Sequence, residues 1–196
     1  GPDGATHQAL EDIATMRVLP RMTVISPCDA TQTKIAAVKA ILEQDGPVYI
    51  RFGREPMPNF TDENQEFVIG RGQIMKDGAD ICIIATGHEV WESLEAAKRL
   101  ESDGKSVMVV NMHTIKPLDE DLLLDLANRF SIIYTVEEHQ IIGGLGSAVA
   151  EFLSEHRPVK IVRIGINDEF GESGRADELM CHFKLDAEGI YSKLKT

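Results

Sequence analysis

Residues 81–111, "ICIIATGHEVWESLEAAKRLESDGKSVMVVN", decide the fold class. The stretch opens on "ICIIA" and closes on "VMVVN", two short runs that are apolar nearly end to end. A strand with one wet face alternates apolar and polar residues. A continuous apolar run instead fits a strand covered on both faces, as in parallel sheets. Between the two runs, Val90, Leu94, Ala97 and Leu100 fall on one helical face, and Gly104 supplies a stop. Strand, helix and strand in that order define an α/β fold with a mostly parallel sheet.

Working outward, the same alternation predicts strands over residues 22–26, 48–52, 80–85, 106–111, 132–136 and 160–164. Helical patterns fall over residues 9–18, 31–43, 90–102, 119–129 and 147–155. One segment breaks the rhythm. Residues 53–72, "GREPMPNFTDENQEFVIGRG", are rich in Pro, Gly and acids and carry no helical period, with a short strand expected at 66–69. The chain therefore divides into a first module over residues 1–55, a linker over 56–72 and a second module over 73–196. The first has only two clear strands, too few for a doubly wound sheet of its own. It reads as the C-terminal part of a domain.

Composition narrows the partners. The formal net charge of −12 argues against nucleic acid or an anionic membrane as the main partner, since both need a basic face. No apolar run approaches the ~20 residues that span a bilayer, and no leader pattern opens the sequence. Cys28, Cys82 and Cys181 are odd in number and widely spaced, which reads as reduced thiols in a cytoplasmic protein.

Three stretches could carry chemistry. In "GPDGATHQALED", Asp3 and His7 flank a turn just before a helix, and the helix's first turn favours negative charge. The pair could grip hydroxyl groups or move a proton; alternatively Asp3 or Thr6 caps the helix and His7 lies on its surface. In "PVYIRFGREPMP", Arg51 and Arg54 bracket the carboxyl end of a strand, where parallel sheets bind ligands. An arginine there suits a phosphate, or else a surface ion pair with Glu55 or Glu66. In "TVEEHQIIGGLGSAVAEFL", the spacing of Gly143, Gly144 and Gly146 departs from a dinucleotide fingerprint, and close helix–strand packing accounts for them better. Glu137, Glu138 and His139 are consecutive on a strand and alternate between its faces, so no metal site is assigned. His88 stands at a strand-to-helix turn, where it could cap or reach a crevice. His113, His156 and His182 read as ordinary.

Taken together and in order, "DGATHQALED", "VLPRMTVISPCDA", "GPVYIRFGRE", "IIATGHEVWESLEAAKRL", "TIKPLD", "TVEEHQIIGGLGSAV" and "FGESGRADELM" resemble the C-terminal portion of a transketolase, over nearly the whole chain. Deoxyxylulose-phosphate synthases and 2-oxo-acid dehydrogenase β subunits share parts of the pattern, but "THQALED" favours transketolase. The resemblance implies a partial pyrimidine-binding thiamine-diphosphate domain followed by the family's C-terminal α/β domain. It implies transfer of a two-carbon ketol unit between sugar phosphates, in carbohydrate metabolism of the pentose phosphate kind. Thiamine diphosphate, with Mg or Ca, would supply the carbanion chemistry. Asp3 matches a family aspartate that contacts a substrate hydroxyl. His7 matches a substrate-channel histidine, a hydroxyl-binding or catalytic group. Arg54 matches the arginine that binds the sugar phosphate, while Arg51 is left structural.

The family's diphosphate- and metal-binding domain, and the glutamate that activates the cofactor, match nothing in this sequence. The resemblance thus implies a chain inactive alone, which works with a diphosphate-binding domain or subunit in a homodimer or hetero-oligomer. The other reading is an assembly module without chemistry.

Overall fold

The computed structural model describes residues 1–195. Its elements run α1 (Asp12–Arg17), β1 (Thr23–Ile25), α2 (Ala30–Glu43), β2 (Val48–Ile50), β3 (Gln73–Lys76), β4 (Ile81–Ala85), α3 (Glu89–Ser102) and β5 (Val107–Asn111). They continue with β6 (Thr114–Lys116), α4 (Glu120–Arg129), β7 (Ile132–Gln140), α5 (Leu145–His156), β8 (Lys160–Ile166), α6 (Ala176–Phe183) and α7 (Ala187–Leu194). A five-stranded sheet has the order β3-β5-β4-β7-β8. It is parallel except for β3, which lies antiparallel at one edge.

The apolar run that decided the class behaves as expected. Cys82 and Ile84 face one way with Met108, Val110 and Ile133, against Leu123, Leu126, Val149 and Leu153 of α4 and α5. Ile83 and Ala85 face the other way with Val107, Val109 and Ile164, against Val90, Ala97 and Leu100 of α3 and Ile190 and Leu194 of α7. Helices cover both faces, so β4 is apolar on both sides.

The two modules share a strand. A second, three-stranded sheet has the order β2-β1-β6, with β1 and β2 parallel and β6 antiparallel to β1. β6 follows β5 after only Met112 and His113, so the chain of the second module crosses straight into the sheet of the first. There Met112 N–H donates to Ala85 (2.8 Å), Ser26 N–H to His113 (2.7 Å) and Gly87 N–H to Ser26 (3.1 Å). The carboxyl ends of β1 and β4 consequently face each other.

Several expectations need correction. Residues 66–69 are irregular, and the strand comes later, at β3. The opening helix does not begin at residue 9: a separate 3-10 turn (Ala5–His7) precedes α1, so His7 lies outside that helix. The strand β6 and the helices α6 and α7 were not foreseen.

The segment between β2 and β3 has no regular structure, yet it is fastened. Asp29, almost fully buried, caps α2 through Gln32 N–H (2.8 Å). The same carboxylate accepts from Phe60 N–H (2.8 Å), Thr61 N–H (2.6 Å) and Thr61 Oγ1 (2.7 Å). Asp119 repeats the device on α4, accepting from Leu122 N–H (3.1 Å), Gly72 N–H (2.9 Å) and Arg71 Nη1 (3.0 Å). A buried donor left unpaired costs about 1–3 kcal/mol. Replacing Asp29 by Ala is therefore expected to lower the unfolding free energy by about 3 kcal/mol in urea titrations, with loss of protease resistance near Thr61.

Candidate functional site

Loops at the carboxyl ends of parallel strands are where such sheets bind ligands. Here much of that crevice in the five-stranded sheet is filled by the first module. Residues 4–17 lie across the ends of β7 and β8, tied down one contact after another. Gln8 Nε2 donates to the Glu172 carbonyl (2.6 Å), and Gln140 N–H donates to the Leu10 carbonyl (2.8 Å). Ala14 N–H donates to His139 Nε2 (3.3 Å), and Arg17 Nη1 to the carbonyls of Gly143 (2.5 Å) and Gly144 (3.2 Å).

The His139 ring is fixed by this arrangement. Nε2 accepts from Ala14, so Nδ1 carries the proton and donates to the Gln140 carbonyl (2.7 Å). Burial lowers its pKa, which keeps the ring neutral. Beside it, Glu137 is fully buried and accepts from Leu145 N–H (2.6 Å) and Gly146 N–H (2.9 Å), capping α5 from a strand. Burial pushes Glu137 up to about 7 against the pull of those two amides.

The glycine-rich turn owes its composition to this packing. A Cβ on Gly144 would stand 1.9 Å from Glu137 Oε2, and one on Gly143, at φ +81°, would stand 2.6 Å from the Ala14 Cβ. Glu137 and His139 share the buried face, while Glu138 turns away toward Arg51.

The site residues expected from sequence are partly brought together. Arg54, whose side chain is 73% exposed, forms an ion pair with Asp3 although 51 residues separate them. His7 is exposed, and its Nδ1 lies 2.9 Å from the neighbouring Thr6 Oγ1. No side chain caps the 3-10 turn or α1, so Asp3 and Thr6 are not caps. An exposed ion pair is worth about 0–1 kcal/mol. The pair therefore opens at little cost, leaving both charged groups within reach of solvent.

Arg51 is a different kind of arginine. Its side chain is only 12% exposed, and its partners are Glu138 (3.2 Å) and Asp12 (3.6 Å), not Glu55 or Glu66. Burial opposes its charge, but the two carboxylates outweigh that and raise its pKa. Asp12 also accepts from the Tyr49 hydroxyl (2.6 Å), which burial and that bond push up to about 12.

His88 stands at the start of α3 but its side chain makes no cap bond, and its Nε2 sits 3.3 Å from Glu92. His113 is buried, stacks on Phe67 at 4.1 Å, and is pulled down to about 4 by burial. Burial raises the thiols of Cys28 and Cys82, the latter to about 12, so neither is a ready nucleophile. Among the described residues, no group of three or more His, Cys, Asp or Glu could hold a metal ion. No helix among them is long and apolar enough to cross a membrane.

The scaffold is α/β, with an exposed Asp3–Arg54 ion pair on segments beyond its strand ends. The transketolase pyrimidine-binding domain profile matches residues 1–59, and the transketolase C-terminal domain profile matches residues 70–190. A Methanocaldococcus jannaschii protein described as a transketolase C-terminal section is 46% identical across 99% of this chain and 61% of its own length. A 6-deoxy-6-sulfo-D-fructose transketolase subunit from a Clostridium species is 44% identical over 96% of this chain and 58% of its own. A solved structure described as a split gene transketolase, inactive beta4 tetramer, superposes with a TM-score of 0.92 at 46% identity, over 98% of this chain and 63% of that one. The chain belongs to the transketolase family, and it spans about three fifths of the length of these relatives.

One buried acid at the site was invisible in the sequence. Glu89, at the start of α3, is fully buried, and neither of its carboxyl oxygens has a hydrogen-bond partner within the described residues. Burial raises its pKa well above the usual range. Glu138, Glu92 and Asp186 add to the rise and Arg51 opposes it. The folded chain thus holds a proton that the unfolded chain releases above about pH 4.5. The resulting loss of stability grows as pH rises. His139, with its lowered pKa, acts in the opposite sense, so the difference between variant and parent isolates Glu89. Glu89→Gln is expected to raise the melting temperature by several degrees at pH 8 and by much less at pH 5. Equal shifts at both pH values would contradict a protonated Glu89.

Proposed function

We propose that this chain forms part of a transketolase that moves a two-carbon ketol unit from a ketose phosphate to an aldose phosphate. Its family uses thiamine diphosphate. In this reading the chain comprises the C-terminal part of the pyrimidine-binding domain (1–55), a linker (56–72) and the C-terminal domain (73–196). Among the described residues, no group of three or more His, Cys, Asp or Glu could seat the metal of a diphosphate. A diphosphate-binding domain or partner subunit holds it with Mg or Ca, and the chain is inactive without that partner.

This chain's own contribution is recognition. Arg54 binds the sugar phosphate by charge-assisted hydrogen bonds. Asp3 accepts from a substrate hydroxyl near the reacting carbons. His7 binds a second hydroxyl, and its exposed ring is placed to exchange a proton there. The observation that carries the reading is the Asp3–Arg54 pair, which joins two distant segments at the strand ends.

The test is ketol transfer from xylulose 5-phosphate by this chain, with the remainder of its pyrimidine-binding domain restored upstream, mixed with a separately expressed diphosphate-binding subunit. Activity is expected only in the mixture. In that assembly Arg54→Ala should raise KM for phosphorylated acceptors by about tenfold or more, and far less for unphosphorylated ones. Failure of transfer with the complete upstream sequence restored would leave an assembly module without chemistry. Equal KM effects on both acceptors would remove Arg54 from phosphate binding. Use of pyruvate as donor would assign the chain to a synthase or oxo-acid relative.

A further inference from the structure

Two arms carry the candidate ligand groups, and they meet at two points. One arm is the segment leading into α1, which bears Asp3 and His7 and ends at Asp12. The other leaves β2 at Arg51 and reaches Arg54. The outer meeting point is the exposed Asp3–Arg54 pair. The inner one is buried: the Arg51 guanidinium lies 3.6 Å from Asp12 Oδ2 and 3.2 Å from Glu138 Oε2. Asp12 is further held by Tyr49 of β2, and Arg51 N–H donates to the Ile25 carbonyl (2.8 Å). One guanidinium thereby joins α1, β2 and, through Glu138, β7 of the five-stranded sheet.

The difference between the two points matters for a ligand. An exposed pair opens at little cost, whereas a buried pair that loses one partner leaves an uncompensated charge. When a phosphate draws Arg54 away from Asp3, the inner clamp keeps both arms at the same spacing.

We propose that Arg51 is a positioning residue that holds the Asp3–His7 arm and the Arg54 arm in register for a phosphorylated substrate. This rests on the functional reading above. The planar fork of arginine reaches two carboxylates on different elements at once. A lysine is a single point charge and serves the geometry only in part.

The experiment uses the chain, with the remainder of its pyrimidine-binding domain restored upstream, assembled with its diphosphate-binding subunit. Arg51→Met is expected to raise KM for phosphorylated acceptors about tenfold, with kcat within about threefold, because misplacing a binding group is costly even when the chemistry is untouched. Arg51→Lys should recover part of the loss. In an Arg54→Ala background, Arg51→Met should lose its selectivity for phosphorylated acceptors, since the phosphate-binding group it positions is gone. Should Arg51→Met fail to fold, Glu138→Gln releases one side of the clamp and is expected to act in the same direction. Equal KM changes for phosphorylated and unphosphorylated acceptors, or a selectivity for phosphorylated acceptors that survives in the Arg54→Ala background, would overturn the proposal.

Amide hydrogen exchange needs no activity. It should quicken over residues 3–12 and 52–55 in Arg51→Met while β4 and β5 stay protected, and unchanged exchange in both arms would overturn the proposal. If exchange quickens but Arg54→Ala leaves every KM unaltered, the clamp stands and the phosphate reading falls.

Discussion

The structure depends on one constraint: the carboxyl ends of its two sheets are held facing each other. The crossover through Met112 and His113 sets this covalently, because the chain leaves the larger sheet at the end of β5 and joins the smaller one as β6 two residues later. The buried Arg51 then joins carboxylates from both sides. With so short a connection and a charge that cannot be abandoned, the two modules have little freedom to part.

Such an arrangement explains where polarity is placed. The crevice beyond β7 and β8 would ordinarily be open, with a glycine-rich helix start ready for an anion. Here Glu137 already occupies the free amides of α5, and α1 rests on Gly143. That end of the sheet has become a socket for the first module. The exposed polar groups are displaced outward, to Asp3, His7 and Arg54, on loops that a rigid scaffold supports.

How much of this was legible depended on the range of each interaction. Residues 81–111 declared the parallel sheet because burial on both faces leaves its mark in consecutive residues. Asp3 and Arg54 were found through the family pattern and the strand-end position, yet nothing in the local sequence said that they pair. β6 was missed because three residues are too few to show a period, and α6 and α7 because each spans barely two turns. The acids were the least legible. Glu89 looks like any carboxylate welcomed at a helix start, and Glu137 like one member of a charged run. Only tertiary packing buries the first without a partner and makes the second a cap for a helix that starts eight residues later. Arg51 and Arg54, three residues apart, are likewise told apart only by burial.

The central claim is that a fixed inner arginine holds the frame while an exposed outer arginine changes partner when substrate arrives. It can be observed directly by following the side-chain guanidinium signals of both residues by NMR, in the assembly with the diphosphate-binding subunit, as a ketose phosphate is added. The account predicts a saturable change at Arg54, accompanied by release of Asp3, with Arg51 unmoved. An Arg54 signal that stays constant through saturation, or an Arg51 signal that shifts with it, would contradict the account.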